Sequence, residues 1–218
     1  MVMIRLPQER DWLAVTDFLY QLQNADPEAI AETDFDLVVL DISEIDAEAV
    51  AQLQGSGKLV LCYMSIGEAE EYRWYWEEAW ADDPPAFLDE ENPDWEGNYK
   101  VHYWDPEWQD LIYGSEDAYL DQILAMGCDG VYLDIIDAYE YYGERESAAQ
   151  DMVDFVLALA EYAREYDPEF GVFPQNAEEL GIEFPAFMDA MTGIGVEDVY
   201  YDDNIAAPAD WTAAREAV

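Results

Sequence analysis

Short runs of almost unbroken apolar residues recur along this chain and alternate with segments of helical character. The clearest runs are DLVVLDIS at 36–43, KLVLCYMSI at 58–66 and GVYLDII at 130–136. A strand that is apolar on both faces is typical of a parallel sheet covered by helices, since a sheet with one wet face shows alternation instead. The pattern therefore predicts an α/β protein built on a parallel sheet.

The pattern contains six strand–helix units. Besides the three runs above, strands are predicted at 17–23, 171–176 and 193–201. The longest helices are predicted at 106–126, with a break near its middle, and at 147–166, where apolar residues repeat at the spacing of one helical face.

Doubly wound sheets and (β/α)8 barrels both fit this order of elements. A dinucleotide-binding doubly wound fold would show a glycine-rich phosphate loop after its first strand, and the sequence has none there. Polar residues instead stand at the carboxyl ends of the strands, where barrels carry their active sites. We therefore expect a (β/α)8 TIM-barrel type in one domain over residues 1–218. Because a full barrel has eight β/α units and only about six are found, we expect the barrel to be incomplete at the C-terminus.

A long polar and aromatic stretch separates the third strand from the next helix. It spans about 67–105 and holds five of the eight tryptophans, namely Trp74, Trp76, Trp80, Trp95 and Trp104. Loops of this length are uncommon unless they are functional or disordered, and the aromatic density favours function. We therefore interpret the stretch as a functional loop insertion.

The charge balance is extreme, with 52 Asp and Glu residues against 8 Lys and Arg and a net charge of −44. A content of 51% hydrophobic and 15% aromatic residues still indicates a folded protein. The acids are spread along the chain, so we interpret them as a halophilic adaptation, because concentrated salt screens self-repulsion. A cationic partner is the alternative, and the lack of a basic patch predicts no binding to nucleic acid.

The two cysteines, Cys62 and Cys128, both lie in apolar runs, which predicts buried thiols rather than a disulfide. The sequence has no apolar run of membrane-spanning length and no signal-peptide core near Met1, so no membrane partner is expected. A cytoplasmic location and secretion with a removed leader both stay open.

Two carboxylates at predicted strand ends are candidates for the functional site. Asp134 interrupts the apolar run at 130–136, and an unpaired buried charge is costly, so this residue must be either paired or used. Glu197 lies late in the last predicted strand, and Asp198 beside it should point to the other face. Asp137 is a further acid of the same rim and a candidate for substrate binding.

The other candidates for substrate binding are polar or aromatic residues at or just after strand ends, namely Asp41, Tyr63, Glu68, Arg73, Trp104, Gln175 and Asn176. Each has a plainer interpretation: a structural ion pair for Arg73, a solvated acid for Glu68, a turn for Asn176, and core packing for the aromatic rings. His102 is the only histidine, so neither a metal site nor a cofactor is expected, although an acidic loop could hold calcium.

Five motifs together resemble glycoside hydrolase family 114, the endo-α-1,4-polygalactosaminidase-like family, which has a TIM-barrel fold. They are YMSIGEAEEYRWYW at 63–76, NPDWEGNYKVHYWDPEW at 92–108, GCDGVYLDIIDAYEYY at 127–142, FPQN at 173–176 and GIGVEDVYY at 193–201. The resemblance covers roughly residues 17–203 in order. It implies a catalytic aspartate at Asp134, a catalytic glutamate at Glu197 and two more strand–helix units than the six counted here.

The resemblance implies an enzyme that cleaves an oligo- or polysaccharide, with an α-1,4-linked galactosamine polymer as the candidate substrate. Glycoside hydrolysis uses two carboxylates, one as acid and the other as nucleophile or base. A non-catalytic carbohydrate-binding or structural protein on a truncated barrel is the alternative, and a metal-using hydrolase is the third. An open barrel would leave two strand edges unpaired, and self-association through these edges is one way to cover them.

Overall fold

The computed structural model describes residues 10–202 and 205–215. In chain order, its strands are β1 (Phe18–Gln21), β2 (Leu37–Leu40), β3 (Leu59–Ser65), β4 (Glu68–Glu70), β5 (Leu88–Glu91), β6 (Asn98–Val101), β7 (Gly130–Asp134), β8 (Gly171–Pro174), β9 (Tyr201–Asp202) and β10 (Ile205–Ala206). The α-helices are α1 (Pro27–Ala31), α2 (Ala47–Gly55), α3 (Pro106–Ile112), α4 (Tyr119–Met126), α5 (Ala148–Tyr166), α6 (Glu178–Glu183), α7 (Pro185–Ala190) and α8 (Ala209–Arg215).

The main sheet is parallel, as the apolar runs predict. Its five strands lie in the order β1-β2-β3-β7-β8. Their register places Tyr63 opposite Tyr132 and Ser65 opposite Asp134, so the carboxyl ends of β3 and β7 meet at one edge. The α/β class and the barrel type are confirmed, and within the described residues the barrel is not closed.

The sixth predicted strand, at 193–201, is wrong as a regular strand. An isolated parallel bridge pairs Gln175 with Gly195, and backbone hydrogen bonds donated by Thr192 and Gly195 to β8 join this region to the sheet. Gly195 comes so close to Tyr132 that a Cβ there would collide with the phenol oxygen, and the backbone of Asp198 is left-handed, with φ 53°. Both features break the regular extended geometry that β-propensity alone suggests. We call residues 192–197 the edge segment.

The sheet separates a large core from a small one. The large core lies between the sheet and the helices and contains Val60, Met64 and Leu133 together with the apolar face of α5. The small core lies on the other face, at the barrel axis, and is formed by Leu37, Val39, Leu61, Tyr63 and Tyr132. Because the barrel is open, this inner face borders a cavity of about 330 Å³.

The expectation of two buried thiols is wrong, because Cys62 and Cys128 form a disulfide. Their Cα atoms are 6.2 Å apart although 66 positions separate them in the sequence. Cys62 lies in β3 and Cys128 lies two residues before β7, so the parallel pairing of these strands brings the sulfurs together. Both side chains are buried.

The stretch at 67–105, interpreted from sequence as a loop, carries regular structure. It contains an antiparallel sheet in the order β4-β6-β5 and a 3-10 helix at Glu78–Ala81. The indole of Trp108 donates a hydrogen bond of 2.9 Å to the Ile66 carbonyl and fixes the start of this insertion on the barrel. Within residues 10–202 and 205–215, no helix combines the length and apolar character that crossing a bilayer requires.

Candidate active site

A cavity of about 720 Å³ opens at the carboxyl ends of the parallel strands. The barrel supplies its floor, and the insertion supplies one wall through β4 and the turn between β5 and β6. The structure brings nine of the sequence candidates to its lining: Asp41, Tyr63, Glu68, Arg73, Asp134, Asp137, Gln175, Asn176 and Glu197. Active sites of barrels form at this end of the strands.

Asp134 is the last residue of β7, and two donors hold its carboxylate. The phenol of Tyr63 donates to Oδ2 at 2.7 Å, and the backbone N–H of Ile135 donates to Oδ1 at 2.8 Å. Burial raises the pKa of Asp134 to about 6, and the negative charges of Glu197 and Asp137 add to this, while the two hydrogen bonds oppose it. This carboxylate is therefore poised to change its charge close to neutral pH.

Backbone strain accompanies the site. Ile135 has a left-handed backbone, with φ 57°, which is unusual for a β-branched residue. Gly67 makes room for this turn, because a Cβ at Gly67 would collide with the Ile135 carbonyl. Asn176 and Ala177, which follow β8, are also left-handed, at φ 59° and 58°. Strain of this kind persists where the surrounding structure enforces it, and it is concentrated at functional sites.

Glu197 faces the same cavity from the edge segment. Its Oε2 accepts a hydrogen bond of 3.1 Å from the Asn176 side-chain amide, and its backbone N–H donates to Asn176 Oδ1 at 3.0 Å. The edge segment lies beside β8, and β8 lies beside β7, so one strand separates Glu197 from Asp134. The negative charge of Glu197 adds to the burial that raises the pKa of Asp134.

Arg73 orients two carboxylates beneath the cavity. It binds Asp41 through both terminal nitrogens, at 2.8 and 2.7 Å, and Glu70 through Nε at 2.6 Å. Burial disfavours the ionised form of Asp41, but the hydrogen bonds and charge of Arg73, together with Ser43, outweigh it and lower the pKa of Asp41. The planar fork of arginine suits this bidentate geometry. The group is a buried ion-pair network that also lines the cavity.

Glu68 is buried rather than solvated, against the default for so acidic a chain. Its Oε1 accepts hydrogen bonds from Asn92 at 2.8 Å and Tyr141 at 2.9 Å, and its Oε2 accepts one from Asn98 at 3.3 Å. Neutral donors thus satisfy a buried carboxylate and fix the antiparallel sheet of the insertion over the barrel.

Trp104 does not reach the cavity. It stacks on His102 with ring centroids 5.0 Å apart, and the Arg145 guanidinium lies 4.2 Å above its ring. Sequence reasoning instead missed Trp95 and Tyr72, which line the cavity with 68% and 64% of their surface exposed. Tyr72 is held rigidly, because its hydroxyl donates to Glu70 at 2.6 Å. The available sequence signal for Trp95 was its position as the one aromatic residue of the polar segment NPDWEGN, which indicates an exposed ring.

The lining is strongly acidic. Besides the two catalytic candidates, the carboxylates of the lining are Asp41, Glu44, Glu68, Glu70, Glu96 and Asp137. Arg73 is the one lysine or arginine among the described lining residues. In the same described part of the chain, no group of three or more His, Cys, Asp or Glu side chains is arranged to hold a metal ion. The cavity therefore offers carboxylates, amides and aromatic rings to a ligand.

Two solved structures show a similar fold. The glycoside hydrolase domain of PelA from Pseudomonas aeruginosa superposes with a TM-score of 0.70 at 19% identity, covering 94% of this chain and 77% of that one. Ega3 of Aspergillus fumigatus, solved in complex with galactosamine, has a TM-score of 0.68 at 21% identity, covering 96% of this chain and 77% of that one. At these identities the likeness shows the shared fold.

Sequence relatives are closer. An uncharacterized protein of Thermotoga maritima is 38% identical over 212 residues, covering 91% of this chain, and one of Methanocaldococcus jannaschii is 40% identical over 198 residues, covering 84%. The chain spans 64% and 56% of the length of these two relatives. The model of glycoside-hydrolase family GH114 matches residues 5–209. With this match over nearly its whole length, the chain belongs to glycoside-hydrolase family GH114.

Proposed function

We propose that the protein hydrolyses glycosidic bonds within a polysaccharide, with Asp134 and Glu197 as the catalytic pair. The observation that carries the proposal is that these two carboxylates line one cavity at the carboxyl ends of the strands. Glycosidases act through two carboxyl groups that flank the bond to be cleaved. Membership of GH114 supports the same reaction class.

The hydrogen bonds favour different roles for the two residues. Both oxygens of Asp134 accept a hydrogen bond, and donors aimed at both oxygens favour the ionised form. With a pKa of about 6, Asp134 is mostly ionised at neutral pH and can serve as nucleophile or base. Glu197 is more exposed and carries one side-chain donor, Asn176, so its second oxygen is free of protein donors among the described residues. We assign it the proton transfer to the leaving oxygen.

The acidic lining favours a cationic sugar polymer such as α-1,4-linked galactosamine. Asp41, Glu68 and Glu70 are buried at the cavity, where adaptation to salt gives no reason for them, since that adaptation acts on the exposed surface. The fold is shared with Ega3, which has been solved with galactosamine bound. Trp95 and Tyr72 offer exposed aromatic faces for sugar rings.

The disulfide supports action outside a reducing cytoplasm. Disulfides form and persist in oxidising compartments, and Cys62 and Cys128 form one here. Of the two locations that the sequence leaves open, we therefore propose secretion.

A substrate screen tests the proposal. Oligomers of α-1,4-linked galactosamine, their N-acetylated form and neutral α-1,4-glucans are incubated with the protein in molar salt, and released reducing ends and product masses are recorded. We expect cleavage of the galactosamine oligomers and little or no cleavage of the glucans. Saturable binding of the oligomers without any products would instead favour a non-catalytic carbohydrate-binding protein.

A further inference from the structure

We propose that Tyr63 is a positioning residue that holds the Asp134 carboxylate in one orientation and favours its ionised form. Sequence reasoning assigns Tyr63 to direct contact with the sugar, so the two roles predict different behaviour. The inference deepens the proposed hydrolase function and rests on it for its catalytic meaning. It does not depend on which sugar is bound.

The register of β3 and β7 sets up the contact. Tyr63 pairs with Tyr132, and Ser65 pairs with Asp134. Side chains two positions apart share a face of a strand, so Asp134 lies on the same face as Tyr132. Tyr63, which is paired with Tyr132, therefore faces the barrel interior together with Asp134. The phenol then reaches Oδ2 of Asp134 at 2.7 Å, a short distance that is typical of a hydroxyl donating to a carboxylate.

The phenol of Tyr63 is committed to donating. The residue is 6% exposed, and burial, followed by the charges of Asp134 and Glu70, raises the pKa of Tyr63 well above its ordinary value. The hydroxyl therefore keeps its proton throughout the working range of pH. Among the described residues, Asp134 is its one hydrogen-bond partner, and Arg73 lies 5.9 Å from its ring.

Burial and the neighbouring carboxylates act on Asp134 in the opposite direction, because both favour its protonated form. The titratable side chains that interact with it from the neighbouring elements are Tyr20, Tyr132, Asp137, Tyr141 and Glu197. The acids among these raise the pKa of Asp134, and so does its burial. The side-chain hydrogen bond from Tyr63 and the backbone N–H of Ile135 are what favour the carboxylate. Tyr63 is the member of this pair that a substitution can remove.

The test compares Tyr63→Phe with Tyr132→Phe. Tyr132 is the cross-strand neighbour of Tyr63, is similarly buried at 8% exposure, and makes no hydrogen bond to Asp134 in the described structure, so it is a matched deletion of a hydroxyl. The carboxyl carbon of Asp134 is followed by ¹³C NMR against pH in each protein, and the signal is assigned by its loss in Asp134→Asn. In parallel, kcat/KM is measured against pH on the galactosamine oligomer.

We expect Tyr63→Phe to move the titration of Asp134 upward by about 1 to 2 pH units, because the hydrogen bond that favours the ionised carboxylate is lost. The acidic limb of kcat/KM should move by the same amount, and Tyr132→Phe should leave both where they are in the wild type. An unchanged titration in Tyr63→Phe, or an equal shift in Tyr132→Phe, overturns the inference. A raised KM with an unmoved pH profile also overturns it and returns Tyr63 to sugar contact.

The NMR arm separates this inference from the proposed function. If no sugar is cleaved but the Asp134 signal shifts in Tyr63→Phe alone, the hydrogen bond has the role assigned to it and the hydrolase proposal fails. If sugars are cleaved but the signal does not shift, the inference fails and the hydrolase proposal stands.

Discussion

Replacing Asp134 with Asn should stabilise the fold while abolishing turnover. Burial raises the pKa of Asp134 from 3.8 to about 6, so keeping this carboxylate ionised in the folded protein costs free energy. The difference of about 2.2 pH units corresponds to about 3 kcal/mol at any pH above both values. An amide cannot accept both hydrogen bonds, and one orphaned donor costs about 1 kcal/mol, so we expect a net gain of about 2 kcal/mol.

The sign of this effect varies with pH. Because the folded-state pKa is raised, Asp134 destabilises the fold least below about pH 4, where it is protonated in both states. Its unfavourable contribution develops as pH rises from about 4 to 6 and is constant above that. The gain in Asp134→Asn should follow the same course, growing across this window and levelling off near neutral pH.

Urea unfolding at a fixed molar salt concentration, at several pH values, measures this gain. The control is Asp110→Asn, which removes one charge from an exposed position on α3 and should change stability by less than about 0.5 kcal/mol. The reasoning would be refuted by an Asp134→Asn protein no more stable than wild type at neutral pH. A gain of equal size at about pH 4 and pH 7 would refute it too, since the stabilisation would then have no link to ionisation.

Three further predictions address other parts of the molecule. Trp95→Ala should raise KM for long oligomers about 10-fold with little change in kcat, because an exposed stacking surface worth about 1–1.5 kcal/mol is lost. An unaltered KM would show that Trp95 does not contact the sugar. Reduction of the Cys62–Cys128 disulfide should lower the free energy of unfolding by about 4 kcal/mol, because it opens a loop of 66 positions in the unfolded chain. Urea unfolding with and without reductant measures the loss, and equal stability in both would contradict the prediction. The net charge of −44 predicts that the cooperative thermal transition seen by circular dichroism is lost near about 0.05 M salt and restored near about 2 M, whereas a transition independent of salt would contradict a halophilic adaptation.

The strands at the centre of the sheet could be predicted from sequence because local composition decides them. The apolar runs at 36–43, 58–66 and 130–136 contain β2, β3 and β7, since strands covered on both faces must be apolar throughout. The run at 193–201 has similar composition, yet it lies at the open edge, where a close approach to Tyr132 governs its path. Edge geometry depends on neighbours that the sequence pattern does not specify.

The site could be predicted in part, for a related reason. Asp134 ends β7 and Glu197 lies in the edge segment beside β8, so both come to the rim formed by the carboxyl ends of the parallel strands. The burial of Glu68 and the pairing of Cys62 with Cys128 depend instead on partners distant in sequence. Trp95 and Trp104 have similar sequence surroundings, and only the folding of the insertion places Trp95 at the cavity and Trp104 away from it.

The central claim is that Asp134 and Glu197 break the glycosidic bond rather than simply bind the sugar. The most direct measurement sets turnover against binding in Asp134→Asn and Glu197→Gln, using reducing-end release for turnover and isothermal titration calorimetry with galactosamine oligomers for binding. We predict that each amide lowers kcat by at least about 1,000-fold while the oligomer Kd changes by less than about 10-fold. Either amide variant retaining the wild-type kcat would contradict the claim.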